Sequence, residues 1–108
     1  MDSLKARLRW AREASGLSPR KLGFLAGLKS ETHVGLIESG LRRHLEGSTL
    51  LALAEVLGVR PAWLLNGEGP DPTPESVYAS VARARAAHED TGEHALPATE
   101  GVGEPQVG

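Results

Sequence analysis

The sequence predicts an all-α fold, and three observations lead there. Apolar residues recur at helical spacing, as Leu4, Leu8 and Ala11 do at i, i+4 and i+7, which puts them on one side of a helix. Each such segment opens near a capping residue and closes at a glycine. No stretch alternates apolar and polar residues with the period of two that a half-buried strand needs. The expectation is five helices within residues 1–67 and a flexible C-terminal tail carrying one extra helix.

The first segment, about Ser3 to Ser15, is stopped by Gly16. Ser18 is a good N-cap for the second, about Pro19 to Ala26, and Pro19 suits the first helical position, where its missing N–H would be unpaired anyway. That helix buries Leu22 and Leu25, and Gly27 ends it. Ser30 reads as the cap of a third, about Glu31 to Ser39, which buries Val34 and Ile37 and stops at Gly40. Ser48 is the cap candidate of the fourth, about Thr49 to Leu57, with Leu50, Leu53, Ala54 and Leu57 turned inward before Gly58. The fifth, Pro61 to Leu65, is about one turn, with Trp63, Leu64 and Leu65 packing inward.

Composition changes after Gly67. Residues 68–75, rich in Pro and Gly, read as a linker. A helix is expected over 76–88, with Val77, Val81 and Ala84 along one side. That stripe suits docking on the domain, docking on a partner protein, or a helix formed part of the time. Residues 89–108, with much Gly, Pro and Glu, read as a disordered tail.

The 108 residues fit one domain with an appendage. The absence of cysteine excludes disulfides and thiolate metal sites or nucleophiles. With aromatic residues at 4%, the core must be aliphatic, built around Trp10, Phe24 and Trp63. No apolar run is long enough to span a bilayer and no signal-peptide pattern opens the chain, so a cytoplasmic, nucleoid-associated protein without membrane contact is expected. The net charge of −2 conceals a segregation: residues 1–67 carry +4 and residues 68–108 carry −6. A basic first part suits a polyanion partner; a merely solvated basic face is the plainer reading.

Two short capped helices joined by a glycine-bearing corner, Leu17 to Gly40, are the parts of a helix-turn-helix, a unit most often used to read the DNA major groove. Around it, Arg12, Leu17-Ser18, Leu22, Val34-Gly-Leu-Ile-Glu38-Ser-Gly40, Leu53-Ala54-Glu-Val-Leu57-Gly58-Val59 and Trp63-Leu-Leu-Asn-Gly67 form a longer pattern. Over roughly residues 3–67 that pattern closely resembles the lambda-repressor-like, Cro/repressor-type (xenobiotic-response-element-type) helix-turn-helix family. The resemblance implies a five-helix DNA-binding domain and a salt bridge between Arg12 and Glu38 across helices one and three. The chain departs from the family where Pro19 replaces a frequent glutamine and Gly23 a frequent alanine. The turn Gly27–Ser30 and the loop Leu41–Ser48 each look one residue longer than usual.

Base reading falls to the N-terminal end of the recognition helix, where Glu31, Thr32, His33 and Leu36 lie. Thr32 can bond several base edges, Glu31 can accept from cytosine N4, and Leu36 can touch a thymine methyl. Glu31 also suits the helix dipole alone, and His33 a phosphate or intrahelical contact. Ser18, Arg20, Lys21, Lys29, Ser30, Arg42, Arg43 and His44 fall on the turns where the family meets the DNA backbone. Each of these taken singly reads equally as ordinary surface polarity.

Catalysis finds no constellation. His33, His44, His88 and His94 lack metal-ligand spacing, and no phosphate-cradling glycine loop is present. The expectation is a non-enzyme without cofactor or metal. The leading function is a sequence-specific, repressor-type transcriptional regulator that binds double-stranded DNA as a homodimer on a palindromic operator. Two alternatives stay open. One is an antitoxin or controller of a toxin or restriction system whose residues 76–88 bind a partner protein; the other is an interaction module that has lost DNA binding.

Overall fold

The computed structural model describes residues 3–30, 32–41 and 45–94. Six helices follow in order: α1 Leu4–Ala14, α2 Pro19–Leu25, α3 His33–Ser39, α4 Gly47–Leu57, α5 Pro61–Asn66 and α6 Pro74–His94. No strand occurs among the described residues. α1 packs on α3, α5 and α6, α4 packs on α2, α5 and α6, and α2 and α3 lie against each other.

Leu8, Leu22, Val34, Ile37, Leu53, Leu57, Trp63 and Leu64 fill the centre, drawn from five helices. Trp10 closes one side, its ring edge-on to Trp63 at 6.0 Å between centroids, a favoured aromatic geometry. Two residues expected inside are not there. Phe24 is 58% exposed, and Leu65 lies on the surface, because Leu22 and Leu25 on α2 and Trp63 and Leu64 on α5 already cover the inward faces.

Four helix ends follow one rule. The chain leaves α1, α2, α4 and α5 through Gly16, Gly27, Gly58 and Gly67, all at positive φ. The next residue's N–H then reaches back to a carbonyl of the last turn: Leu17 to Arg12, Leu28 to Gly23, Val59 to Ala54 and Glu68 to Ala62. This closure satisfies orphan carbonyls and turns an apolar residue inward after the glycine in the first three cases. Helix starts vary more. The Ser3 and Ser18 hydroxyls accept from Ala6 and Lys21 N–H as caps should. Ser48 does not cap α4, which starts at Gly47 after Glu46 and has no side-chain cap bond.

Arg7 and Glu38 are buried charged residues, each tied to another helix. Arg7, 5% exposed, donates from Nε to the Leu64 carbonyl at 2.9 Å and from its guanidinium to the Leu65 carbonyl at 2.7 Å. It thus meets the carbonyl end of α5, where a cation is favoured. Glu38 of α3 accepts from Arg12 of α1 at 2.6 and 2.9 Å and from Arg9 at 3.3 Å. Arg12 also holds the Leu17 carbonyl at 2.7 Å, so one side chain ties α1, α3 and the α1–α2 corner. The hydrogen bond to Glu38 raises the Arg12 pKa above its ordinary value against the opposing effect of burial, with the charges of Glu38 and Glu13 adding.

The C-terminal part differs from the sequence expectation. The helix expected over 76–88 starts two residues earlier, at Pro74, and continues to His94, through part of the stretch read as disordered tail from residue 89. Thr73 starts it, its hydroxyl accepting from Ser76 N–H at 3.1 Å. Val77 and Val81 are buried in the common core, with Ala84 packed against it. The Ser80 hydroxyl donates to the Val56 carbonyl at 3.1 Å. The linker is anchored as well, since Trp63 Nε1 donates to Asp71 at 2.9 Å.

Candidate nucleic-acid interface

α2, the corner and α3 form one unit with an inner and an outer side. Val34, Ile37 and Glu38 are the buried residues of α3. Thr32 and Ser39 are exposed, and His33, Gly35 and Leu36 half-buried. Thr32, His33 and Leu36 are thus on the accessible side, while the same helix is fixed from behind by the Arg12–Glu38 pair.

Ser30 does not cap α3. The preceding residue is Thr32, in helical conformation and with no side-chain cap bond. Ser30 instead holds the corner: its hydroxyl accepts from Thr32 N–H at 3.3 Å and meets the Thr32 hydroxyl at 3.0 Å, and its carbonyl accepts from His33 N–H at 3.4 Å. Gly23 lies where α2 faces α3. A Cβ there would meet Val34 Cγ2 at 3.6 Å, ordinary van der Waals contact, so close approach does not require glycine.

Five of the phosphate candidates come together. Ser18, Arg20, Lys21, Lys29 and Ser30 line one concavity, floored by Phe24 and Leu28. Its neighbour, lined by Lys29, Ser30 and His33 together with Glu46, Ser48 and Thr49, continues it toward α4. Lys21 Nζ lies over the Phe24 ring, 5.1 Å from its centroid. The candidates Glu31, Arg42, Arg43 and His44 lie outside the described residues.

Two participants were missed in the sequence. Phe24 reads as core in a chain so poor in aromatic residues, although its position three residues after Lys21 puts both on one helix face, away from the Leu22 and Leu25 stripe. Nothing in the sequence ties His88 to α2; its ring lies against Phe24 at 5.0 Å between centroids. No local pattern announces a partner 63 residues away, at the Leu25 carbonyl.

A short capped helix, a tight corner and a second helix with its outer side free, beside a basic concavity, define a helix-turn-helix module. A family model described as helix-turn-helix, HTH_3, matches residues 8–64, and the chain belongs to that family. It therefore carries a DNA-binding domain of the kind used by transcription regulators. No solved structure matches the chain. Among the described residues, no helix is long and apolar enough to cross a membrane, and no group of His, Asp and Glu is arranged to hold a metal ion.

Proposed function

We propose that the chain is a sequence-specific, repressor-type DNA-binding regulator that reads a palindromic operator as a dimer. The observation that carries this reading is the junction of α3's accessible face with the basic concavity. Thr32, His33 and Leu36 would meet base edges, with Glu31 beside them, while Ser18, Arg20, Lys21, Lys29 and Ser30 would hold the flanking phosphates. Arg42, Arg43 and His44 would extend those contacts along the backbone.

Phosphate contacts supply affinity and register, and base contacts supply choice. Selection of bound duplexes from a random pool, repeated at rising salt, tests the proposal. The expected result is an inverted repeat with half-sites about one helical turn apart, bound less tightly as salt rises. A pool that yields no salt-sensitive enrichment of any sequence overturns it. The alternative in which the 76–88 stripe binds a partner protein loses support, because Val77 and Val81 are turned into the domain's own core.

A further inference from the structure

α6 lies beyond the residues matched by the family model, yet it reaches the helix proposed to meet DNA. His88 Nε2 stands 3.2 Å from the carbonyl oxygen of Leu25, the last residue of α2. A carbonyl only accepts, so the imidazole donates from Nε2 and occupies one of the carbonyls that a helix end leaves without an intrahelical partner. The same ring rests against Phe24, with centroids 5.0 Å apart and planes inclined by 44°. Phe24, at 58% exposure, takes little hold from the core. Lys21 Nζ in turn sits over that phenyl ring. His88, Phe24 and Lys21 therefore form a chain of contacts running from α6 into the basic concavity.

We propose that His88 is a positioning residue of the nucleic-acid interface: it pins Phe24, and through that ring sets where Lys21 presents its charge to a phosphate. The proposal rests on the reading of Lys21 as a phosphate contact. A lysine side chain loses much rotamer freedom when it is held in place, and an ammonium on an aromatic face is weakly attracted to it. A fixed phenyl ring thus places Nζ before DNA arrives, so less order has to be created on binding. α6 becomes part of the interface without touching DNA, and an event that lifts it from α2 weakens binding.

The test compares the 108-residue chain with His88→Ala, His88→Phe, Lys21→Met and the His88→Ala/Lys21→Met double variant, on a short mixed-sequence duplex. His88→Ala is expected to weaken binding about threefold to tenfold at low salt and to reduce the log–log salt slope by about 0.9, the loss of one phosphate contact. Lys21→Met should do the same, and the double variant no more. His88→Phe, which keeps a ring against Phe24, should recover most of the affinity. In the free protein, the ring-current shift of the Lys21 ε-methylene protons should vanish in His88→Ala and persist in His88→Phe. If His88→Ala fails to fold, His88→Gln, which keeps a donor for Leu25 but no ring, carries the same expectations. A salt slope and ring-current shift both unchanged by the loss of the ring, whatever the melting temperature does, assign His88 to stability alone and overturn the proposal. An unchanged slope in Lys21→Met overturns the phosphate reading of Lys21 together with this one; an unchanged slope in His88→Ala alone overturns only this one.

Discussion

Glu38 is a residue on which several elements converge. Its side chain is 3% exposed and faces two arginines. Removing one partner of a buried ion pair leaves the other charge uncompensated, at a cost of about 3 kcal/mol or more. Glu38→Ala should lower stability by about that amount in chemical denaturation, and Arg12→Met/Glu38→Leu by clearly less than the two single changes summed. Because the Arg12 pKa is raised by folding, its contribution is complete below the unfolded value and fades only as pH climbs through the higher folded one. Stability dependent on Arg12 should therefore be level across the neutral range. Gly23 runs the other way. Helix propensity favours alanine by about 0.8–1 kcal/mol, and the site has room for its methyl, so Gly23→Ala should raise the denaturation midpoint with the slope unchanged. The Arg12–Glu38 pair was legible through the family resemblance. Arg7 was not: it counted as one more basic charge, because its partners lie 57 and 58 residues away and are backbone carbonyls, which carry no residue signature.

At the scale of elements, helix ends were easier to read than helix starts, and the reason is steric. A left-handed closing residue is cheap only for glycine, so Gly16, Gly27, Gly40, Gly58 and Gly67 marked the ends plainly. An N-cap needs no side-chain bond: Glu46 and Arg60 supply only extended backbone, and Thr32 stands in helical conformation; Ser30 and Ser48 therefore misled. The length of α6 was illegible for a related reason. Its stripe of Val77, Val81 and Ala84 is thin, and the docking that stabilises it comes from Val56, Gly58 and other residues far back in the chain. Gly58 makes that docking sensitive. A Cβ there would come within 2.5 Å of Ser80 Cβ and Oγ, at a φ of +69°. Gly58→Ala should cost about 1–3 kcal/mol and speed amide exchange in α6 more than in α1 to α3. Equal acceleration everywhere would show that α6 opens only with the whole domain.

For the whole molecule, the organising quantity is the distribution of charge. The +4 of residues 1–67 gathers partly into the α2 concavity, and residues 89–108, which begin within α6, hold five acids and no Lys or Arg. Affinity for DNA should accordingly depend steeply on salt, and two substitutions should divide the interface. Lys29→Ala should weaken all duplexes alike and lower the salt slope by about 0.9. Thr32→Ala should leave the slope intact and relax discrimination at one base pair by about 1–3 kcal/mol. Competition binding against matched and single-mismatch duplexes separates the two; a uniform loss in Thr32→Ala would remove it from the base-reading set. The basic cluster was visible in the sequence because its members stand at the two ends of α2, which Ser18 and Gly27 mark. Its Phe24 floor was hidden, since a lone phenylalanine in a chain poor in aromatics is read as core.

The edge-to-face indoles of Trp10 and Trp63 also make the protein its own optical reporter. They are the chain's two tryptophans, on α1 and α5, and the second is bonded to Asp71 in the linker. Neither lines the basic concavity, so their emission follows whether the linker lies closed over α5. Fluorescence can thus score the integrity of the scaffold in the same cuvette in which labelled DNA scores binding.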